Sequence, residues 1–329
     1  MSTSKRIIGT LAIPVIAIVI MEILCLGHGQ HIIANSKSFD NFVVYTAIVM
    51  ITTIALSINL NSGRFDFSLG SMAALSAVIG AKITYALLQG GTGSAPLMLL
   101  LTVLAGIILG LISGGLYVIL RIPPIITSLG VALIYEGILY TITSGKYVMA
   151  EVQNASLSKF VGTWVYAAIV IVVVLAFVII VFDHTRFGFE YNALRNGQKV
   201  AVNTGIEEVG NAVICYAICG GLMGLVGFFN AARNTNINGG LLNFGSIAIM
   251  FTAFLPMFIG SYIGRFCNEK IGFLLAAITM SALNSTFAVF SNEVTASVQS
   301  IINAVLLVAF LIYLNNEKLL VKILSPKNK

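Results

Sequence analysis

The chain alternates long apolar stretches with short polar connections along nearly its whole length. Two of these stretches, residues 97–120 and 165–182, contain no charged residue. Each is long enough for a helix to cross a hydrocarbon core of roughly 30 Å. The pattern predicts an all-α, polytopic transmembrane helical bundle of about ten spans, near 7–27, 42–60, 67–89, 96–120, 125–143, 163–182, 210–231, 245–263, 271–290 and 297–314.

Composition supports lipid as the solvent of this chain. Hydrophobic residues make up 58% and charged residues 9%, whereas a soluble domain carries about 25% charged residues. The net charge of +6 comes from basic residues scattered in short connections, which favours anchoring at a membrane face over binding of nucleic acid. The first apolar stretch is longer than a signal-peptide core and lacks a small-x-small cleavage site, so we interpret it as a retained span.

The distribution of Lys and Arg predicts the orientation. With ten spans and both termini cytoplasmic, four basic residues fall outside, namely Lys37, Lys146, Lys159 and Arg233, and Lys82 lies within the third span. The remaining basic residues fall inside: Lys5, Arg6, Arg64, Arg121, Arg186, Arg195, Lys199, Arg265, Lys270, Lys318, Lys322, Lys327 and Lys329. This is the bias that cytoplasmic loops show, and an odd number of spans would remove it.

No soluble domain interrupts the spans, so residues 1–329 are interpreted as a single transmembrane domain. Small residues at four-residue spacing, as in Gly106, Gly110 and Gly114 and in Gly220 and Gly224, predict close helix packing. The cysteines follow neither metal nor disulfide spacing. We predict no catalytic residue and no metal site.

The connection at 183–209 is the longest hydrophilic stretch. Between Gly197 and Gly205 it has a helical composition, flanked by residues that can end a helix. A short helix held by two glycine-permitted turns could bind a cytoplasmic partner. An ordinary loop is the alternative.

A second polar stretch, 59–70, breaks two apolar segments. Irregular backbone at membrane depth must be buried in protein or line a watery cavity, because unpaired peptide groups are costly in lipid. Asp66 begins a helix, where a carboxylate suits the positive end of the dipole. The stretch is either part of a pathway or a capped turn.

These two stretches resemble motifs of one family, the ribose-type permeases of bacterial ATP-binding-cassette importers. The break is similar to the family's Gly-Gly-Ile-Asp-Leu-Ser-Val-Gly at Gly63, Asp66, Ser68 and Gly70, and the loop is similar to its Ser-Gly-Ile ending at Thr204, Gly205 and Ile206. Further likenesses run in order through the chain: Ser128-Leu129-Gly130, Ala232-Arg233, Leu283-Asn284 and Gln299.

The resemblance implies a permease subunit in the bacterial cytoplasmic membrane that imports a small polar solute, with a monosaccharide as the first expectation. Two permease subunits would enclose the path, an extracytoplasmic binding protein would deliver the solute, and ATPase subunits would bind the cytoplasmic loop. The chain has no Gly-x-x-x-x-Gly-Lys-Ser/Thr loop, so ATP and Mg²⁺ are expected in the partner and no cofactor is expected in this chain. The predicted ATPase-coupling residues are Arg195, Asn196, Gly197, Gln198, Lys199, Thr204, Gly205 and Ile206.

Polar side chains in apolar surroundings are the candidates for the translocation pathway: Asn59, Asn61, Asp66, Ser68, Thr127, Ser128, Glu136 and Asn284. Such residues often mark function in membranes, although Asn and Ser can equally bond across helices. Glu136 is the strongest candidate of this set, because a charge in a span needs water or a partner.

The chain departs from the family at three places. Residues 254–261 lack most of the family's glycines, Glu136 stands where many members carry Arg, and Val202 replaces a basic residue. The second permease subunit could therefore be another copy of this chain or a more regular paralogue.

Three alternatives stay open at this point. The solute could be a nucleoside or a sugar-like signal such as an autoinducer, and the chain could be an inactive structural subunit. A stand-alone ion-coupled carrier should show an internal repeat with broken helices and several intramembrane acids. Only Glu22 and Glu136 are acids well inside the predicted spans, which disfavours the carrier.

Overall fold

The computed structural model describes residues 3–88, 94–154, 163–291 and 293–324. Lys159, Lys327 and Lys329, which entered the orientation argument, lie outside the described residues. The described secondary structure is helical apart from one isolated β-bridge. The helices are α1 (Thr3–Gly27), α2 (Ser36–Asn61), α3 (Leu69–Leu87), α4 (Ala95–Leu120), α5 (Pro124–Thr143), α6 (Ala150–Asn154), α7 (Trp164–His184), α8 (Arg186–Asn203), α9 (Glu208–Asn234), α10 (Ile247–Phe251), α11 (Phe254–Ile263), α12 (Glu269–Val289) and α13 (Ala296–Leu324).

Nine of the described helices are long and apolar enough to cross a membrane: α1, α2, α3, α4, α5, α7, α9, α12 and α13. A further apolar segment, Ile247–Ile263, is shorter. The prediction of an all-α bundle with about ten spans is thus confirmed, while the orientation of the termini stays a prediction.

The span predicted at 245–263 is not one continuous helix. It consists of α10 and α11, separated by a turn at Thr252 and Ala253. Pro256 lies in the first turn of α11, where its missing N–H would have no helical partner, and it could not donate to the carbonyl of Thr252 in an unbroken helix. Proline chemistry therefore accounts for the break.

The chain divides into two compact units. The larger unit, Asn35–Ala253, contains α2 to α10. In it α9 packs on α4, α2 and α3, while α7 packs on α2 and α5 packs on α3. The smaller unit joins Met1–Ala34 to Phe254–Lys329, and within it α1 and α11 pack on α12, and α13 packs on α11.

The predicted glycine contacts form the centre of the larger unit. A Cβ atom on Gly106 of α4 would clash with the carbonyl oxygen of Gly220 of α9, and a Cβ on Gly220 would clash with the carbonyl of Gly106. On Gly224 it would lie 2.7 Å from the carbonyl oxygen of Thr102. Two backbones at this separation gain van der Waals contact that lipid cannot replace.

Candidate translocation site

A cavity of about 350 Å³ lies in the larger unit, between α2, α3, α9, α10 and the connection 235–246. Its polar lining consists of amides and hydroxyls: Tyr45, Thr52, Asn230, Asn234, Asn236, Asn238 and Thr252. Ile, Val, Leu, Ala and Gly complete the wall, and none of the lining residues is charged. This volume is within the range of small-molecule sites.

The cavity exists because the chain turns back after α9 instead of leaving the bundle. Helix α9 ends at Asn234, and Thr235 adopts a left-handed conformation with φ of 55°. The connection then pairs with the segment after α5, where Val148 and Ile237 exchange backbone hydrogen bonds of 2.9 and 3.0 Å. The Thr143 hydroxyl lies 3.1 Å from the carbonyl oxygen of Gly239 and 2.8 Å from that of Leu139 in its own helix, so its one proton is shared between them. These contacts fix irregular backbone against the helices.

Glu136 of α5 holds the far end of the same connection. Its carboxylate accepts the backbone N–H of Phe244 at 2.9 Å and that of Ser246 at 2.8 Å, one with each oxygen. The side chain is completely buried. A buried carboxylate that accepts two peptide N–H groups satisfies its own charge and the backbone together. The structure therefore shows Glu136 as a clamp on residues 244–246.

The predicted break between α2 and α3 lies next to residues 244–246, which Glu136 holds. Gly63 takes the left-handed conformation, with φ of 74°, that ends α2. Gly70, in the first turn of α3, lies so close to Ser246 that an added Cβ would clash with the Ser246 carbonyl oxygen. Two glycines of the motif thus make the turn and let α3 approach the connection.

Asp66 closes this turn. One carboxylate oxygen accepts the backbone N–H of Ser68 at 2.8 Å and its hydroxyl at 2.6 Å, and the other accepts the Asn59 amide at 3.3 Å. Asn59, Asp66 and Ser68 are all fully buried. Burial raises the pKa of the Asp66 carboxyl to about 6, against the lowering effect of the hydrogen bonds from Ser68 and Asn59. The described geometry is that of a capped turn.

The other predicted pathway residues are dispersed. Ser128 is buried and donates to the carbonyls of Ile125 and Phe65, and buried Thr127 donates to the carbonyl of Pro123. Asn61 is half-buried at the end of α2. Asn284 is half-buried on α12 and belongs to the smaller unit. None of the eight residues lines the cavity described above, so their role in a pathway stays a prediction.

Sequence reasoning missed the amides that do line the cavity. Asn230, Asn234, Asn236 and Asn238 lie around the end of α9, at spacings of four, two and two. Only the neighbouring Ala-Arg pair was recognised, as part of the resemblance. A run of amides where a span ends is the signal that could have identified this site, because asparagine rarely accumulates in lipid-facing helix.

The predicted coupling segment forms α8. Its backbone leaves helical geometry at Gly197, where φ is 175°, and it ends before Gly205, where φ is 92°. Only Gly205 therefore requires the conformational freedom of glycine. Six of the predicted coupling residues are exposed, namely Arg195, Asn196, Gln198, Lys199, Thr204 and Gly205, whereas Gly197 and Ile206 are half-buried.

Helix α8 is fixed to the bundle by its buried face. The Tyr191 hydroxyl donates to the carbonyl of Ile58, near the end of α2, at 2.9 Å. The Asn192 amide donates to the carbonyl of Phe182 at 3.1 Å. Exposed apolar side chains remain on the other faces, with Phe189 64% and Val200 70% exposed. Helix α8 is thus anchored to α2 and α7 and keeps polar and apolar side chains exposed, while its role in ATPase coupling stays a prediction.

Comparisons with known proteins agree with the sequence resemblance. Residues 38–311 match the family described as branched-chain amino acid transport system, permease component. The autoinducer 2 import system permease protein LsrC of Photorhabdus luminescens is 26% identical over 72% of this chain and 70% of its own length. The protein of the same name from Shigella flexneri is 25% identical over 58% of this chain and 56% of its own length. No solved structure matches the chain.

The family match covers most of the chain: it includes six of the nine spans described above whole, most of α2 and α13, and both halves of Ile247–Ile263. The relatives are permease proteins of bacterial import systems. Together with the apolar helices, they confirm the predicted localisation as a multi-pass protein of the bacterial cytoplasmic membrane. The chain is a transport permease and belongs to the family of branched-chain amino acid transport system permease components.

Proposed function

We propose that this chain is the transmembrane subunit of an ATP-binding-cassette importer for a small, uncharged, hydroxyl-rich solute, either a monosaccharide or a sugar-like signalling molecule. The observation that carries the proposal is the amide-rich cavity of about 350 Å³ without a charged lining residue. A side-chain amide both donates and accepts hydrogen bonds, so it matches a hydroxyl group, which also does both. An amino acid would need partners for both of its charges; Arg233 stacks on the ring of the lining residue Tyr45 at 4.8 Å, but no acidic residue lines the cavity.

The relatives support the signalling-molecule form of the proposal, because their names describe permeases for autoinducer 2. They leave the monosaccharide form open, since the identity is 26% or less in the relatives named above.

The energy for import would come from partner ATPases, with ATP and Mg²⁺ bound there. Helix α8 is the proposed docking element, because it combines exposed polar and apolar side chains with a hydrogen-bonded base. In the predicted orientation it faces the cytoplasm. A binding protein on the opposite face would deliver the solute to the cavity, and a second permease copy or a paralogue would complete the path.

The proposal is tested by reconstituting the chain with its ATPase and binding protein in nanodiscs and measuring ATPase stimulation by autoinducer 2, monosaccharides and nucleosides. We expect stimulation by one hydroxyl-rich solute and at least a tenfold weaker response in Asn230→Leu, which removes a cavity amide. Asn315→Leu changes an exposed asparagine of α13 and is the matched control. Solute-driven ion flux by the chain alone would overturn the importer function.

Docking is tested by copurification of the ATPase. Val200→Asp places a charge on the exposed apolar surface of α8 and should abolish the complex without unfolding the chain. Val209→Asp, at a valine that is 57% exposed in the first turn of α9, is the control and should retain the complex. Equal loss in both variants would contradict docking centred on α8.

A further inference from the structure

The smaller unit contains another cavity, of about 490 Å³, whose lining includes none of the residues assigned above to a pathway or to ATPase coupling. One wall is a stripe along α1: Gly9, Ala12, Ile13, Ile16, Ala17 and Ile20. The opposite side is formed by Ile259, Tyr262 and Phe266 and by Phe310 and Tyr313 of α13. The wall is apolar except for two tyrosine hydroxyls, which bond to each other at 3.1 Å. It offers a solute no free polar group, so its occupant should be a hydrocarbon.

The dimensions fit one leaflet of a bilayer. Gly9 and Ile20 are eleven residues apart, which corresponds to about 16 Å along a helix. Half of a hydrocarbon core of roughly 30 Å is about 15 Å. Both α1 and α13 are long enough to cross a membrane and expose most of their side chains, so this cavity opens between helices that lipid surrounds.

One end of the cavity is basic. Arg6 precedes Gly9 by three residues, so it continues the α1 stripe by one helical turn. Arg265 lies just beyond α11, and its guanidinium carbon is 5.0 Å from the centre of the Tyr262 ring. The side chains of both arginines are exposed. Phe266 packs directly on Gly9 at this end, since a Cβ added there would lie 2.7 Å from the ring. The arginines therefore lie where the hydrocarbon-lined space ends.

An apolar slot one leaflet deep, with cations at one end, matches a molecule that carries a hydrocarbon chain and an anionic head. We propose that this cavity binds one anionic phospholipid, with an acyl chain along the α1 stripe and the phosphate at Arg6 and Arg265. The apolar wall alone would not distinguish this lipid from its neighbours, because burial in protein and in lipid are nearly equivalent for a hydrocarbon. The arginines supply the preference for an anionic head.

The proposal is tested by native mass spectrometry of the full-length protein, titrated with phosphatidylglycerol or phosphatidylcholine of the same acyl chains. We expect one phosphatidylglycerol per chain, bound at least tenfold more tightly than phosphatidylcholine. Arg6→Gln with Arg265→Gln should abolish this preference, whereas Arg121→Gln, at an exposed arginine after α4, should retain it. An unchanged preference in the double variant would overturn the headgroup assignment.

The acyl chain is tested by filling the cavity. Ala17→Trp should lose the bound lipid, whereas Val19→Trp, at a valine that is 50% exposed on α1 and outside the lining, should keep it. Ala12→Phe is a second, smaller filling variant in case Ala17→Trp lowers the yield of folded protein. Equal lipid binding in the filled and control variants would overturn the proposal. So would a change in oligomeric state without a change in bound lipid, since the cavity would then be a protein contact.

Discussion

The two ends of the larger unit present opposite kinds of surface. Where α2 begins and α9 ends, irregular backbone and amide side chains enclose a cavity, whereas α8, near the end of α2, presents exposed side chains on helical backbone that is broken once, at Gly197. Tyr45 of the cavity and Ile58, which accepts the Tyr191 hydrogen bond, are thirteen residues apart, or about 20 Å along α2. One helix therefore contacts both surfaces.

The difference lies in how backbone groups are satisfied. At the α8 end, most peptide groups bond within the helix and tertiary hydrogen bonds only anchor it. At the cavity end, the connection 235–246 depends on Glu136, Thr143 and the bridge to Val148. An irregular segment in a membrane protein is as stable as the buried polar groups that hold it. Substitutions of buried polar residues should therefore affect the cavity end more strongly than the α8 end.

The largest expected effect is a substitution that prevents the whole larger unit from folding, so that the cavity end and the α8 end are lost together. Gly106→Val would place a branched side chain against the backbone of Gly220 and Gly224 at the α4–α9 contact. Overpacking a core costs about 1–3 kcal/mol where side chains can yield, and a backbone cannot yield as easily. We expect no folded protein, measured as the monodisperse fraction in size-exclusion chromatography. Gly115→Val on the same helix is the control, because no atom lies within 4 Å of its added Cβ. Similar yields for the two variants would contradict this account of the core.

The next largest effect comes from a substitution that should disrupt the cavity end and leave the α8 end intact. Glu136→Ala leaves the N–H groups of Phe244 and Ser246 without their acceptor, at about 1–3 kcal/mol for the buried Ser246 group and less for Phe244, a residue that is 37% exposed. We expect solute uptake to fall at least tenfold while the ATPase still copurifies with the chain.

A graded variant distinguishes the clamp from a direct role of charge. Glu136→Gln keeps one oxygen acceptor but turns an amide donor towards the second N–H, so its uptake should lie between those of the wild type and Glu136→Ala. If both Glu136→Gln and Glu136→Ala take up the solute at the wild-type rate, the carboxylate is not needed to hold the connection 235–246.

The sequence was sufficient for features that depend on repetition. Apolar stretches located nine described spans to within a few residues, except at the start of α2 and the end of α13, which extend beyond the predicted bounds. Glycine spacing predicted close helix packing at Gly106 and at Gly220, and the structure shows that these two glycines face each other where α4 meets α9. Composition placed a short helix between Gly197 and Gly205; the structure has a helical segment there, and across the break at Gly197 a second segment reaches back to Arg186. Periodicity and spacing are local properties, so one sequence reveals them.

The cavity could not be predicted in this way, because it depends on contacts between distant residues. Glu136 and Ser246 are 110 residues apart, and neither neighbourhood signals the other. The sequence made Glu136 a pathway candidate because a charge in a span needs water or a partner; the structure gives it two backbone partners, and its role in a pathway stays a prediction. The sequence left Asp66 either in a pathway or in a capped turn, and in the structure Asn59 and Ser68 bond to its carboxylate within the turn. Polarity alone does not distinguish a side chain that faces a solute from one that holds the backbone.

The smallest expected effect lies at the α8 end. Tyr191→Phe removes the hydroxyl that donates to the carbonyl of Ile58. The Ser62 hydroxyl lies 3.0 Å from that carbonyl and 3.0 Å from the carbonyl of Asn59, so it can pair with Ile58 in the variant, and the loss should be about 1 kcal/mol or less. The midpoint of thermal unfolding should fall by about 2–4 °C.

The same variant decides whether the two ends are coupled through α2. Loss of the Tyr191 hydrogen bond that anchors α8 to α2 should weaken ATPase stimulation by the solute about twofold to fivefold. The affinity of the solute for the cavity should stay unchanged. Tyr147→Phe, at a tyrosine that is 60% exposed, is the control and should alter neither. If Tyr191→Phe instead lowered solute affinity and left ATPase stimulation intact, α8 would be supporting the cavity, and the division of the unit into a binding end and a docking end would be wrong.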